Sequence, residues 1–426
     1  MASSIFVSSP KYLQFILIGL TVVAVGVVFI LAAIFVLVGC EKEEIDLSGS
    51  RLPIVYITTP AKIVSKEDWV KSCRISICNS GGNDAVYENV QIKGRGNSTW
   101  RYPKKPYAIK LDKKEEVLGM PKHKRWVLLA NYLDHTCLRN DVSFEIARCM
   151  PGLAWTPHGE FVEVVMNGEP LGNYYLCEQI KVDQNRLNIT GIGLTDIDDV
   201  SVTGGYVFEL DINYDELFKF TTSYQGLPVQ FKDPDENIAA AQMNYVQNYF
   251  NRIENMLYGG NSTGENLFDY IDMDSFIDWW LVHELTGNGE PNHPKSCYMY
   301  KDRNGKLCAG PVWDFDYATF KPSTPKSLII SSSLWYGALM KNAAFTERVK
   351  ERWTMHKSSL EQIEGYIDMR AAQIKESAEM NMNRWSNKKY DYVNEDTKLS
   401  FPKAVDRLKQ GYRQRMEVLD KVIETL

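Results

Sequence analysis

Apolar and polar positions change their spacing near residue 236, and this change divides the chain into two parts. From residue 52 to about 232 the apolar residues form short runs, rich in β-branched and aromatic side chains and separated by Gly, Asn, Asp and Pro, which is typical of β-strands. From 233 to 426 they recur mainly at the spacing of one helix face. We therefore predict an α+β fold with a β-rich N-terminal half and a helical C-terminal half.

The predicted elements follow this division. Strands are predicted at 53–57, 90–93, 107–111, 126–130, 160–166, 174–178 and 205–210. A helix at 138–150 interrupts them, because its apolar residues recur at every fourth position. Further helices are predicted at 238–258, 274–285, 346–376 and 404–425. Asp274 and Thr346 are placed as N-caps of two of these helices.

The N-terminal region, residues 1–40, is predicted to direct the protein to a membrane. Leu13–Gly39 carries no charge and has 27 residues, more than the roughly 20 that span a bilayer as a helix. Residues 37–40 resemble a bacterial lipobox, in which Cys40 would be lipidated, and residues 41–51 would form a polar tether. The alternative is an uncleaved membrane helix. Both predict a protein of the bacterial cell envelope, anchored to the membrane, with its domain outside the cytoplasm.

Composition narrows the function classes. The chain has 48 basic and 54 acidic residues and a net charge of −6, so no basic excess indicates nucleic-acid binding. Seven cysteines follow Cys40 without the paired spacing of a zinc site. Two pairs could form disulfides in an oxidising compartment, Cys73 with Cys78 and Cys297 with Cys308.

The segment 284–320 carries the most specific chemistry. It contains a polar loop, then two strand-like runs joined by an Asn-Gly turn, and then Asp314 and Asp316. Two carboxylates at this spacing can face one divalent cation, and oxygen ligands suit Mg²⁺ that bridges the phosphates of a nucleotide. The alternative is that both acids cap a turn after a buried strand.

A glycine-rich turn and two lysines are candidate phosphate ligands. Gly94-Arg95-Gly96-Asn97 follows a predicted strand, so its backbone amides could approach phosphate oxygens, although a simple hairpin turn would have the same sequence. Strand alternation across 104–111 places Lys105 on the apolar face, where it would need an anion, and Lys110 on the other face. A surface lysine with a buried stem is the alternative.

Several ordered blocks over residues 54–385 together resemble the CotH family of kinase-like proteins. The blocks are IKGRGNSTW, KKPYAIKL, WVLLANYLDHTCLRN, GNYYLCEQIKVDQNRLNI, GGYVFELD, ELTGNGEP, YMYKDRNGKL and GPVWDFD. The resemblance implies an atypical, two-lobed protein-kinase fold over 52–426 that binds ATP with Mg²⁺ or Mn²⁺ and phosphorylates Ser or Thr of an exported or surface protein. It also implies that Asp314 is the metal ligand and that a lysine of the second block, Lys105 or Lys110, binds phosphate.

One departure from the family concerns the catalytic base. Residues 285–301 contain no Asp, so Glu290 is the candidate to accept or position the hydroxyl proton. Asn288, Asn292 or Asp316 would then be the second metal ligand. Glu145 on the helix 138–150 could pair with Lys105, as a kinase helix-C glutamate does, or could simply be exposed.

Two residues near the start of the helix at 138–150, Arg139 and Asn140, are interpreted as a structural cap and ion pair. Two other function classes stay open. A pseudokinase or surface-assembly protein would keep the fold without phosphoryl transfer, which the missing Asp favours. A metal-dependent hydrolase would need further metal ligands, and the six scattered His residues argue against it.

Overall fold

The structure is a computed structural model that describes residues 51–78, 84–261 and 264–426. The predicted membrane-directed segment, Cys40 and nearly all of the tether lie outside the described residues. Within those ranges, no helix combines the length and the apolar character needed to cross a bilayer.

Seven strands of the N-terminal half close into a barrel. Their bounds are β1 Ile54–Thr58, β2 Val70–Cys78, β3 Ala85–Gly94, β4 Tyr107–Val117, β5 Met120–Leu129, β6 Gly159–Met166 and β7 Glu169–Glu178. Neighbours follow the order β1-β2-β3-β4-β5-β7-β6, and β1 pairs in parallel with β6 to close the ring. The β-rich half is confirmed, whereas the closed barrel was not part of the prediction.

Alternating apolar side chains fill the barrel. Val55, Ile75, Ile92, Trp126 and Tyr174 are all buried in one cluster. Because successive side chains of a strand point to opposite faces, every second residue can face inward. The prediction omitted β2, since polar residues interrupt its apolar positions.

A second sheet lies across the predicted boundary at 232. Its strands are β8 Tyr206–Leu210, β9 Lys219–Thr221, β10 Pro228–Asp233, β11 Cys297–Lys301 and β12 Leu307–Ala309. They are antiparallel in the order β12-β11-β8-β10-β9. The predicted hairpin, β11-β12, therefore belongs to a sheet whose other strands come from the β-rich half, with Cys297 opposite Leu210.

The helices of the described residues are α1 Arg139–Arg148, α2 Ala240–Tyr258, α3 Met273–Thr286, α4 Tyr336–Leu339, α5 Ala343–Leu360, α6 Ile363–Arg384, α7 Asp391–Asn394 and α8 Phe401–Ile423. The helical C-terminal half is confirmed. Two details of the prediction are wrong. The caps are Asp272 and Asn342, whose side chains accept from N–H groups of the first turn, and the helix predicted at 346–376 is interrupted between Leu360 and Ile363.

The cysteines of the described residues are free thiols. Cys73 and Cys78 lie at odd spacing on β2, so Cys73 faces the core while Cys78 is exposed, and a bridge between them is excluded by geometry. Cys297 and Cys308 are also unbridged, because Cys308 lies opposite Tyr300 in the β11-β12 register.

Candidate functional site

A polar cavity of about 470 Å³ lies where the turn after β3, the end of β8 and residues 313–316 come together. Seven of the candidate catalytic, phosphate-binding and metal-binding residues predicted from the sequence line it: Gly94, Arg95, Gly96, Asn97, Glu290, Asp314 and Asp316. Five do not line it: Lys105, Lys110, Glu145, Asn288 and Asn292. The fold thus brings three distant segments of the sequence to one cavity.

The glycine-rich turn is held closely by its neighbours. A Cβ on Gly94 would meet the Trp100 ring at 2.4 Å, and Gly96 has φ +78°, which favours glycine. The N–H groups of Gly94 and Arg95 already donate to the carbonyl oxygens of Ser65 and Pro106, at 2.9 and 3.2 Å. Only the backbone N–H groups in the later part of the turn could therefore bind a phosphate. The predicted phosphate site is thus smaller than the whole glycine-rich turn.

The lysine that points inward is Lys104, not Lys105. Lys104 is buried, its ammonium donates to the carbonyl oxygen of Ala130 at 2.8 Å and to that of Asn173, and it lies over the Tyr174 ring. Burial lowers the pKa of Lys104 to about 8. The alternation predicted for this segment fails because β4 begins only at Tyr107.

Lys105 and Lys110 lie outside the cavity lining. The Lys105 ammonium donates to the Trp100 carbonyl oxygen at 2.7 Å and lies over the same ring. Lys110 is opposite Arg125 of β5. Glu145 pairs with Arg148 at 2.8 Å and not with Lys105, so the predicted Lys105–Glu145 pair is not formed.

Arg95 and Lys295 are among the cations of the cavity lining that have no carboxylate partner within ion-pair distance in the described residues. The Arg95 guanidinium lies over the Trp313 ring, 5.4 Å from its centroid. Lys295, which the sequence interpretation did not single out, lines the same cavity just after the polar loop. Burial raises the pKa of Asp314 and of Glu290; the positive charges of Arg95 and Lys295 oppose this rise at Asp314, and that of Lys295 also opposes it at Glu290. Both are placed to attract an anion.

The two aspartates act as a coupled acidic pair. Burial raises the pKa of Asp314, and burial together with the negative charge of Asp314 raises that of Asp316 well above its usual range. A hydrogen bond between their carboxyl groups further raises the pKa of Asp316 and opposes the rise in the pKa of Asp314. Asp314 has φ +69°, a strained backbone for a residue with a side chain.

This acidic pair fits a divalent cation. Two carboxylate oxygens would leave positions for water and phosphate oxygens, as Mg²⁺ prefers. Over the described residues, no group of three or more His, Cys, Asp or Glu side chains is arranged to hold a metal alone.

Glu290 lies beside the aspartates at the start of a short 3₁₀ turn. Burial, followed by the negative charge of Asp314, raises its pKa to about 9. Its N–H donates to the side-chain oxygen of Asn288 at 3.0 Å. A carboxyl group with this pKa is protonated at neutral pH until a cation lowers the local negative potential.

The loop amides face away from the cavity. The Asn288 side-chain nitrogen is 3.5 Å from the Asp314 carbonyl oxygen, and its oxygen is taken by Glu290. The Asn292 amide donates to the Ile329 carbonyl oxygen at 3.2 Å and accepts from the Ser333 hydroxyl. Each amide oxygen therefore already accepts one hydrogen bond, and neither residue lines the cavity.

Two further residues of the cavity come from other elements. Asp211, at the end of β8, accepts from the N–H of Asn213 at 2.7 Å and of Ser296 at 3.2 Å. Asn140, at the start of α1, was interpreted as structural, yet it lines the cavity and accepts from the N–H of Phe315 at 2.8 Å. The only sequence signal for a role of Asn140 at the site was its place in the block WVLLANYLDHTCLRN, which resembles the CotH family.

Comparison with known proteins agrees with the geometry. The family model described as CotH kinase protein matches residues 92–419, which includes the glycine-rich turn, the polar loop and the acidic pair. No curated protein matches the chain. The matched region covers most of the sequence, and the chain therefore belongs to the CotH kinase protein family.

Proposed function

We propose that this protein transfers the γ-phosphate of ATP to a Ser or Thr hydroxyl of an exported or surface protein, with Mg²⁺ or Mn²⁺. The observation that carries the proposal is the convergence of Arg95, Lys295, Glu290 and the acidic pair on one cavity. Anion-binding cations beside a cation-binding carboxylate pair match the requirements of phosphoryl transfer.

In this proposal Arg95 and Lys295, and not Lys105, bind the phosphate groups. The planar guanidinium can bind phosphate oxygens in a bidentate manner, and the Trp313 ring restricts its orientation. Lys104 also lines the cavity, but two carbonyl oxygens already accept from its ammonium, which leaves at most one N–H for a phosphate. Its role would be to fix the segment that lines the cavity.

Asp314 and Asp316 would hold the cation, with Asp314 as the main ligand. A bound divalent cation would supply charge neutralisation on the transferred phosphoryl group. The contribution of the protein itself is then to orient the reacting groups. The left-handed backbone at Asp314 directs successive carboxylates to one cavity.

Glu290 would accept or position the proton of the acceptor hydroxyl. Its pKa of about 9 refers to the protein without cation, and a cation bound by Asp314 would lower this pKa by opposing the negative charge that raises it. The β-barrel on one side of the cavity and the helical half on the other support our proposal of a two-lobed, kinase-like arrangement.

The direct test is incubation of the full-length protein with labelled ATP and Mg²⁺ or Mn²⁺. Asp314→Ala should abolish transfer, since catalysis of this kind rests almost entirely on positioning and electrostatics. Asp368→Ala is the matched control, because Asp368 is an exposed partner of Lys409 far from the cavity lining. Autophosphorylation that survives Asp314→Ala would contradict the assigned metal site.

Glu290→Gln tests the base separately. We expect transfer to slow by about 10²-fold or more while ATP affinity stays within about threefold, because the carboxyl group meets the acceptor and not the nucleotide. Single-turnover transfer and equilibrium ATP binding measure the two effects. If Glu290→Gln weakened ATP binding as much as it slowed phosphoryl transfer, Glu290 would instead contact the nucleotide.

A pseudokinase is the second candidate. The observation that favours it is Glu290 itself, whose longer side chain and raised pKa differ from the Asp expected of the family. ATP binding without transfer under either metal would identify it. Localisation at the bacterial envelope through Cys40 or an uncleaved helix remains part of the proposal.

A further inference from the structure

The backbone of residues 314–316 needs external support. Asp314 has φ +69°, a left-handed conformation that is strained for a residue with a side chain. Such a conformation persists only where surrounding groups fix it. The hydrogen bonds of the three peptide units show which groups those are.

Two buried asparagines from opposite ends of the domain hold this segment. The Asn140 side-chain oxygen accepts from the Phe315 N–H at 2.8 Å. The Asn394 side-chain nitrogen donates to the Asp316 carbonyl oxygen, also at 2.8 Å. The third contact, from Asn288 to the Asp314 carbonyl oxygen, is long at 3.5 Å.

Each asparagine is itself oriented by a second hydrogen bond. The Asn140 amide nitrogen donates to Asn131 at 3.0 Å, which fixes its oxygen toward Phe315. The Asn394 amide nitrogen donates to the Leu133 carbonyl oxygen at 2.8 Å as well. A flipped Asn394 would bring its oxygen against two carbonyl oxygens, so its orientation is determined by its surroundings.

A buried ion pair connects the same two segments. Arg139, next to Asn140, pairs with Asp396, two residues after Asn394, at 2.8 Å. Arg139 also donates to the Thr319 carbonyl oxygen at 3.1 Å, and the Thr319 hydroxyl donates to the Phe315 carbonyl oxygen at 2.6 Å. The start of α1 and the end of α7 thus meet at the loop that carries the acidic pair.

We propose that Asn140 and Asn394 are positioning residues that hold the peptide units on either side of Phe315, so that both aspartates present their carboxyl groups to one cation. The proposal rests on the proposed function. It makes the C-terminal segment around α7 part of the active site, although within that segment neither Asn387 nor Asn394 lines the cavity. Loss of either asparagine should weaken metal binding without removing a metal ligand.

The first measurement is Mn²⁺ affinity of the full-length protein, together with ATP affinity in metal-free buffer. Asn140→Ala and Asn394→Ala should each weaken Mn²⁺ binding about tenfold, while metal-free ATP binding stays within about twofold. Matched controls are Ser143→Ala, one turn further along α1, and Asn387→Ala, a buried amide that donates to the Tyr132 carbonyl oxygen at 2.6 Å. Both controls should bind Mn²⁺ within about twofold of the wild type.

The second measurement needs no ligand. Hydrogen exchange of a peptide that covers residues 313–320 should be at least about fivefold faster in Asn140→Ala and Asn394→Ala, and unchanged in both controls. If an alanine variant does not fold, Asn140→Ser and Asn394→Ser leave a smaller cavity and take its place.

The outcomes separate the two proposals. Equal weakening of Mn²⁺ binding in the control variants, or none in the asparagine variants, would overturn the positioning role while leaving the proposed function standing. A wild type that binds neither Mn²⁺ nor ATP would overturn the proposed function and the metal-positioning role together. Hydrogen exchange of residues 313–320 would then show whether the two asparagines hold the loop. If Asn140→Ala and Asn394→Ala left this exchange rate unchanged, that role would be overturned as well.

Discussion

At the scale of single residues, a shift of one position decides which lysine lies inside. Lys104 is buried in the lining of the cavity, and Lys105 lies over Trp100 outside that lining. The two are adjacent in a Lys-Lys-Pro sequence, so composition cannot distinguish them. The residue that takes over the role of phosphate cation in our proposal is Arg95, which stacks on a different tryptophan.

Arg95→Ala should raise the KM for ATP about 10- to 100-fold, because a charge-assisted contact to phosphate contributes roughly 1.5–3 kcal/mol. Lys105→Ala is the matched control, since it also removes a cation that lies over a tryptophan ring. Its KM should stay within about threefold of the wild type. Steady-state kinetics with varied ATP measures both. A larger effect of Lys105→Ala would restore the original sequence-based assignment.

His283 should make stability depend on pH below 6.5. It is buried on α3, donates from Nδ1 to the Trp279 carbonyl oxygen at 2.8 Å and packs against Phe315 between the two aspartates. Burial lowers its pKa to about 4. Because the unfolded chain binds the proton between pH 6.5 and 4 and the folded protein does not, this contribution is complete above 6.5 and is lost as pH falls to 4.

His283→Asn can keep the hydrogen bond but cannot titrate. The difference in free energy of unfolding between wild type and variant should therefore change by roughly 2–3 kcal/mol, in the variant's favour, between pH 7 and 4.5. Urea unfolding at both pH values measures it. A difference that stays constant with pH would show that burial does not shift the pKa of His283.

At the scale of elements, α8 supports the loop that carries the acidic pair. Gly411 of α8 lies so close to this loop that a Cβ there would be 2.0 Å from the Phe320 carbonyl oxygen. The Phe320 N–H in turn donates to the Thr286 carbonyl oxygen at the end of α3, at 2.7 Å. The loop is thus enclosed between two helices.

Gly411→Ala should destabilise the protein by about 1–3 kcal/mol, because backbone must move to admit the methyl group. Gly365→Ala on α6 is the control. Its Cβ would meet nothing within 4 Å, so the higher helix propensity of Ala should stabilise it by about 0.5–1 kcal/mol. Thermal unfolding compares the two variants. Stabilisation by both would mean that α8 is not packed against the loop.

At the scale of the whole molecule, the proposed membrane attachment would decide where the protein acts. If Cys40 is lipidated, metabolic labelling with a palmitate analogue should mark the protein, and Cys40→Ala should lose the label. Cys78→Ala removes an exposed thiol of the folded domain and should keep the label. Membrane retention of an unlabelled wild type would instead indicate the uncleaved helix.

The local pattern of the sequence determined most of the elements. Strand and helix periods are short-range properties, so the β-rich and helical halves, the hairpin of β11 and β12 and the turn at Gly94–Asn97 could all be predicted. The break near Glu361 could not, since neither Gly nor Pro marks it. Closure of the barrel depends on β1 pairing with β6, and no local period specifies a pairing between segments so far apart.

The candidate site divides in the same way. The sequence was sufficient to identify Asp314, Asp316 and Glu290 as candidates, because they lie close together in one segment and within the blocks shared with the family. The roles of Lys295, Asn140 and Asn394 depend on which distant backbone or side chain each one meets. The sequence by itself therefore determined the reactive groups, whereas tertiary structure alone decided which cations face them and which amides hold them, because hydrogen bonds between distant segments exist only after the chain has folded.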